Sequence, residues 1–189
     1  NFTSSAESYN VAVGYAAGLS VTTAVNNTLI GGLAGDAINT GNNNSAVGYS
    51  ALGANTTGSS NSAFGLLALG TNISSNNNSA FGQSSLRYNT GANNTAFGFE
   101  ALSANQTASN NAAFGTSALA KNTTGGQNTA VGYQALFDNL TGPSNTAVGQ
   151  VALANNNTGG GNNAFGYHSL ETNTTGSSNN AFGESALRY

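Results

Sequence analysis

Few residues in this chain could do chemistry, and their spacing argues against most of the chemistry they could do. His168 is the only histidine, there is no cysteine, and the carboxylates are Glu7, Asp36, Glu100, Asp138, Glu171 and Glu184. A paired-acid site needs two such groups held together, yet these six do not share one column when the chain is aligned on its own repeat. His168 falls where other copies carry Ser, Glu or Gln, so it reads as a solvated surface residue. The glycine run that starts at Gly31 lacks the lysine and the strand-to-helix setting of a phosphate loop. Calcium-binding β-roll turns carry aspartate, whereas these turns carry asparagine and threonine. The expectation is a protein with no catalytic residues, no metal and no cofactor, and not an enzyme.

Asparagine offers a different chemistry. Asn55, Asn72, Asn105, Asn122, Asn139, Asn156 and Asn173 each begin an N-x-[ST] triplet, one repeat apart or a multiple of it. Two readings stand side by side. Stacked asparagines can hydrogen-bond up a ladder and hold turns, and the same triplet is the acceptor for an N-linked glycan. Further triplets begin at Asn1, Asn26, Asn43, Asn77 and Asn93.

The element that must position all of these is a short repeat. Its clearest copy is NTAVGYQALFDNLTGPS, residues 128–144, and its marker glycine recurs at Gly14, Gly31, Gly48, Gly65, Gly82, Gly98, Gly115, Gly132, Gly149, Gly166 and Gly183. Every step is 17 residues except one of 16, between Gly82 and Gly98. A fixed short period sustained from end to end is the signature of a stacked array. Glycine and asparagine punctuate each unit too often for a helix, so the expected fold is all-β, a parallel β-solenoid or β-roll of about eleven 17-residue coils. Each coil should hold a strand over the segment equivalent to Thr129–Tyr133 and a second extended segment around Gln134–Leu136. At about 4.8 Å per layer the stack would be roughly 50 Å tall. Residues 1–9 read as a connector or inter-subunit junction, and 10–189 as a single repeat domain.

Two columns are expected to form the core. One is the apolar residue before each marker glycine, including Val47, Phe64, Phe81, Phe97, Phe114, Val131, Val148, Phe165 and Phe182. The other is the leucine four residues after it, Leu52, Leu69, Leu86, Leu102, Leu119, Leu136, Leu153, Leu170 and Leu187. Side chains alternate along a strand, so this choice places the intervening alanine outside. It is alanine in ten of eleven copies, which implies an outer face packed on a neighbouring chain or folded into a tight corner.

Charged residues are 5% of the chain and the formal net charge is -3. With only Arg87, Lys121 and Arg188 as cations, no surface can neutralise a phosphate backbone, which excludes nucleic acid. No apolar run reaches the roughly 18 residues of a membrane span, so membrane insertion is not expected. Disorder is disfavoured because the apolar residues recur in register and the net charge is small.

The motif N-[ST]-A-[VF]-G-x-x-[AS]-L with an N-T-T-G connector resembles the repeats of phage tail-fibre-like and bacterial surface proteins, and more distantly the head repeats of trimeric autotransporter adhesins. That resemblance implies a parallel β-roll, often trimeric, displayed outside a cell or virion as a stalk or adhesive head. The expected function is therefore a structural, adhesin-like subunit of an extracellular fibre, a homo-oligomer or filament with itself as the partner and with surface glycans or a receptor as further partners. Leu187, Arg188 and Tyr189 followed by Asn1, Phe2 and Thr3 resemble the internal run Ser85–Thr90, as expected either of head-to-tail stacking or of a segment of a longer repeat protein. The alternatives are an isolated adhesin or tail-fibre head, and an ice-binding solenoid using the column Thr57, Thr107, Thr124, Thr141, Thr158 and Thr175. Tyr15, Tyr49, Tyr133 and Tyr167 offer a platform for carbohydrate.

Overall fold

The computed structural model describes residues 8–189. Among them each coil contributes one three-residue strand, from β1 (Val11–Val13) and β2 (Thr28–Ile30) to β10 (Asn163–Phe165) and β11 (Asn180–Phe182). The eleven strands form a single parallel sheet in chain order. Register is strict: Ala130 lies beside Ala147 and Val131 beside Val148. Across the short step, β5 (Ser79–Phe81) and β6 (Thr95–Phe97) still pair Ala80 with Ala96 and Phe81 with Phe97. The missing residue is taken up in the connector, where no ladder of strand bonds depends on it. Asn1, Phe2 and Thr3, the first half of the expected junction, lie outside the described residues, as does Glu7.

The second extended segment is not there. Gln134 and Leu136 both sit in the left-handed region, at φ 52 and φ 53, and the chain turns instead of extending. The Ala135 N–H donates back to the Gly132 carbonyl at 3.3 Å, and the Leu136 N–H donates across to Ala152 of the next coil at 3.0 Å. Alternating left-handed residues let a 17-residue coil reverse direction within a few residues while its amides still bond to the coil above. Left-handed backbone costs a non-glycine residue about 1–2 kcal/mol. A buried leucine returns about 1.5–3 kcal/mol, so the leucine column wins by a narrow margin and only where it is fully enclosed. The marker glycine has a stricter reason: Gly98 has φ 140, and a Cβ there would lie 2.4 Å from the Gly115 carbonyl oxygen.

The core is the reverse of what the size of the side chains suggests. The strand alanines point inward, with Ala46, Ala63, Ala80, Ala96, Ala113, Ala130, Ala147 and Ala164 all at 0% exposure. Val47, Phe64, Phe81, Phe97, Phe114, Val131, Val148, Phe165 and Phe182 point outward and are half-buried or exposed, Phe182 reaching 69%. They are not core residues. Each coil is so thin that one leucine fills its width, and the residue facing that leucine can be no larger than alanine. The leucine column is inside: Leu52, Leu69, Leu86, Leu102, Leu119, Leu136 and Leu153 are fully buried and Leu170 nearly so, while Leu187, in the last described coil, is 58% exposed. Ser85 and Ser169 replace core alanines and satisfy their hydroxyls on the Gly82 and Gly166 carbonyls, each at 2.9 Å.

Candidate functional site

The inward strand alanine forces its neighbour out, and the outward column is the most distinctive surface of the molecule. In-register pairing stacks identical side chains at the strand spacing. Phe64, Phe81, Phe97 and Phe114 form a continuous stack with centroid separations of 4.7, 4.4 and 5.3 Å and ring planes within 12° of parallel. Phe165 stacks on Phe182 at 5.0 Å. Val13 and Ile30 extend the column to the first coils and are exposed. Two residues further along each coil runs a flanking column with Tyr15, Tyr49, Leu66, Phe99, Tyr133 and Tyr167, all exposed. Glu184 is the single charge in that flanking column. The Val, Ile and Phe column is thus an apolar stripe running along the described stack, and the column beside it is interrupted by Gln83, Thr116 and Gln150 as well as Glu184.

Charges collect elsewhere. Lys121 Nζ pairs with Asp138 Oδ1 at 2.6 Å in the adjacent coil and lies over the Phe137 ring. Glu171 accepts from Arg188 Nε at 2.8 Å and lies 2.5 Å from His168 Nδ1. Burial would push the Glu171 carboxyl up, but the hydrogen bond to His168 and the charge of Arg188 outweigh it and hold the carboxyl below its ordinary value. Arg188 is thus engaged within its own chain, and its ring neighbour is Tyr189. Among the described residues no group of three or more His, Asp or Glu is placed to hold a metal ion.

The inside holds two asparagine ladders where one was expected. In the connector ladder, Asn122 Nδ2 donates to Asn105 Oδ1 at 2.8 Å, Asn139 to Asn122 at 2.9 Å, Asn156 to Asn139 at 2.7 Å and Asn173 to Asn156 at 3.0 Å. Each also donates to a carbonyl three residues on, as Asn122 does to Gly125 at 2.9 Å. Asn55, Asn72, Asn105, Asn122, Asn139 and Asn156 are fully buried. Asn72, Asn105, Asn122, Asn139 and Asn156 have both amide hydrogens bonded, and Asn55, with Ile38 below it, donates only to Gly58 O at 2.9 Å; with no exposure, none of the six can carry a glycan in the folded coil. Asn173 is half-buried with the same two bonds.

The second ladder is formed by the first residue of every coil, from Asn10 to Asn179. Its Oδ1 accepts the backbone N–H of the next such asparagine, as Asn128 N–H donates to Asn111 at 2.8 Å. Its Nδ2 reaches across the coil to the carbonyl already used by the connector asparagine: Asn111 Nδ2 meets Gly125 O at 3.0 Å. From the third coil to the tenth, one carbonyl closes each coil by accepting from both ladders, Gly58 O in the third and Gly176 O in the tenth. This column is asparagine in all eleven copies, and that constancy was the signal that could have found it.

The ladder has one fault. Asn72 Oδ1 is buried without a hydrogen-bond partner: Asn89, in the 16-residue coil, donates to the closing carbonyl of Gly91 at 2.7 Å like the other rungs but does not also donate to Asn72. The threonines Thr57, Thr107, Thr124, Thr141, Thr158 and Thr175 are exposed but lie in bends, in single file, and the short coil has no residue in that column. No family model, characterised protein or solved structure matches the chain, so function has to be read from this geometry.

Proposed function

We propose that the chain is a structural subunit of an extracellular fibre or filament, in which solenoids lie side by side on their outward Val and Phe ladders. One observation carries the proposal, the continuous outward-facing apolar column from Val13 to Phe182, half-buried to exposed, with its stacked rings. Contiguous exposed apolar surface of this extent marks an interaction site. A partner that meets it along its whole length needs side chains at the same layer spacing of about 4.8 Å, and a second copy of this chain has that spacing. The stripe also lacks the charge that would select a polar partner or keep two copies apart. A standard coil donates on one face of the ladder and accepts on the other, as Asn139 donates to Asn122 and accepts from Asn156, so the two faces are complementary and the stack itself can be propagated. The likeness of the repeat to those of tail-fibre-like and surface proteins supports placement outside the cell or virion and an adhesive variant of the same role. Ice binding has weaker support, since its threonines form one interrupted file on bends.

The test is assembly. Purified protein at neutral pH, followed by light scattering behind a sizing column and by negative-stain micrographs, should form multimers or filaments. The variant Phe64→Ser/Phe81→Ser/Phe97→Ser/Phe114→Ser should stay monomeric with an unchanged circular dichroism spectrum, because these rings are outside the core. A wild-type chain that remains monomeric at high concentration would overturn the proposal.

A further inference from the structure

Among the described residues, four acceptor triplets do not belong to the buried ladder. Asn26, Asn43, Asn77 and Asn93 each open an N-N-[ST] triplet, and all four are exposed. They share one column, the residue just before each leading asparagine, and all have left-handed backbone with φ of 59 or 60. They come as two stacked pairs. Asn26 Nδ2 donates to Asn43 Oδ1 at 3.2 Å, and Asn77 Nδ2 donates to Asn93 Oδ1 at 3.2 Å. Among the described residues nothing accepts from the Nδ2 of Asn43 or of Asn93.

We infer that Asn43 and Asn93 are N-glycan acceptor sites of this fold, one in each pair. The reacting atom is the amide nitrogen. It attacks the anomeric carbon of a lipid-pyrophosphate-linked oligosaccharide, so an Nδ2–C1 bond forms and the C1–O bond to phosphate breaks. The Nδ2 proton passes to a base of the transferase and the lipid pyrophosphate departs. In the exposed Asn43 and Asn93 that nitrogen has no acceptor among the described residues; in Asn26 and Asn77 it donates to the neighbour. Adjacent layers are about 4.8 Å apart, too close for two glycans to leave the same edge in parallel, so one pair carries one glycan. The connector asparagines are closed to the same chemistry because a sugar on Asn122 would displace its bond to Asn105 Oδ1 or to Gly125 O inside the core.

The inference rests on the extracellular reading only in requiring passage through a secretory membrane, and the experiment imposes that passage. The chain is secreted from yeast behind a cleavable leader. Folded protein is then treated with peptide N-glycosidase in heavy-oxygen water, which marks each occupied asparagine as labelled aspartate for mass spectrometry. Label is expected at Asn43 and Asn93, with little at Asn26 and Asn77 and none at the seven connector asparagines. Asn43→Gln/Asn93→Gln should lose both glycans and keep the wild-type melting temperature. No label at any site, or label concentrated on Asn26 and Asn77 or on the connector ladder, would overturn the assignment. Unglycosylated protein from bacterial cytoplasm keeps the two readings apart, since filaments from it support the fibre whatever the labelling shows.

Discussion

The Cδ2 methyl of Leu29 stands 2.7 Å from the point a Cβ on Gly35 would occupy, so these two residues divide one core space between them. Elsewhere the same space is filled by a strand alanine and a turn leucine. In coil 27–43 the large residue has moved from the turn to the strand, and glycine has taken the turn. Ile38, which stands where later coils have the connector asparagine, closes the third side, its Cδ1 being 2.8 Å from the same point.

This exchange predicts strong non-additivity. Leu29→Ala alone should cost about 2–5 kcal/mol as a cavity, and Gly35→Leu alone about 1–3 kcal/mol or more as overpacking. The triple change Leu29→Ala/Gly35→Leu/Ile38→Asn rebuilds the standard coil and offers Asn55 a ladder partner below it. It should return to within about 1 kcal/mol of wild type, since contacting residues couple. Guanidinium unfolding of the three proteins checks this, and a triple variant less stable than either component would refute the shared-space account.

The broken rung at Asn72 makes the short coil a point of weakness. Aligned with its neighbours, that coil lacks the exposed residue between Thr90 and Gly91, and its Asn89 makes no bond to Asn72. Inserting a threonine between Thr90 and Gly91 should let Asn89 Nδ2 reach Asn72 Oδ1. A buried acceptor left unsatisfied costs about 1–3 kcal/mol, so the insertion should raise the melting temperature although it lengthens a loop. A lower melting temperature would mean that the short coil is already satisfied by another route, such as a buried water.

The stack, its period and its single deletion were legible in the residues alone, because glycine spacing reports directly on coil length. The orientation of the strand was not. Val131 and Phe165 are larger and more apolar than Ala130 and Ala164, and hydrophobicity alone sends the larger residue inside. The deciding quantity was the width of the coil, which appears in the sequence only as the refusal of one column to hold anything but alanine. The exception, Leu29, made the same point, since it is matched by glycine at Gly18 and Gly35 where leucine is usual. The asparagine triplets show the converse limit: Asn55 and Asn43 carry the same motif, and only burial separates a structural rung from an open side chain.

The marker glycines combine two constraints that a pair of variants can separate. A Cβ at Gly98 would meet the Gly115 carbonyl oxygen at 2.4 Å and would also sit at φ 140, whereas a Cβ at Gly183 meets nothing within 4 Å and carries only the strain of φ 123. Gly183→Ala should cost about 1–3 kcal/mol from backbone strain. Gly98→Ala should cost visibly more, because two coils must also part. Hydrogen exchange resolves the difference. The Gly98 variant should lose protection in the coils on both sides of it, and the Gly183 variant only in the last. Equal effects at the two sites would show that backbone conformation alone selects glycine.

Acid should loosen one corner of the stack first. Glu171 holds His168 and Arg188, and its carboxyl lies below the ordinary value once those two partners overcome the effect of burial. A carboxyl lowered in the folded state stabilises the fold above its unfolded value, and that contribution disappears as pH falls through the folded value. The contribution should therefore be complete at neutral pH and fade below about pH 4. Because the cluster lies near the surface, its size should be on the order of 0.5–1 kcal/mol. Glu171→Gln, which mimics the protonated side chain, should melt slightly below wild type at pH 7 and together with it at pH 3. Protection of the Leu170 amide, which donates to Ala186 of the last coil at 2.9 Å, should follow the same curve. A gap between wild type and variant that persists unchanged into acid would place the stabilisation in packing around the side chain, and a gap that opens only in acid would reverse the sign of the argument.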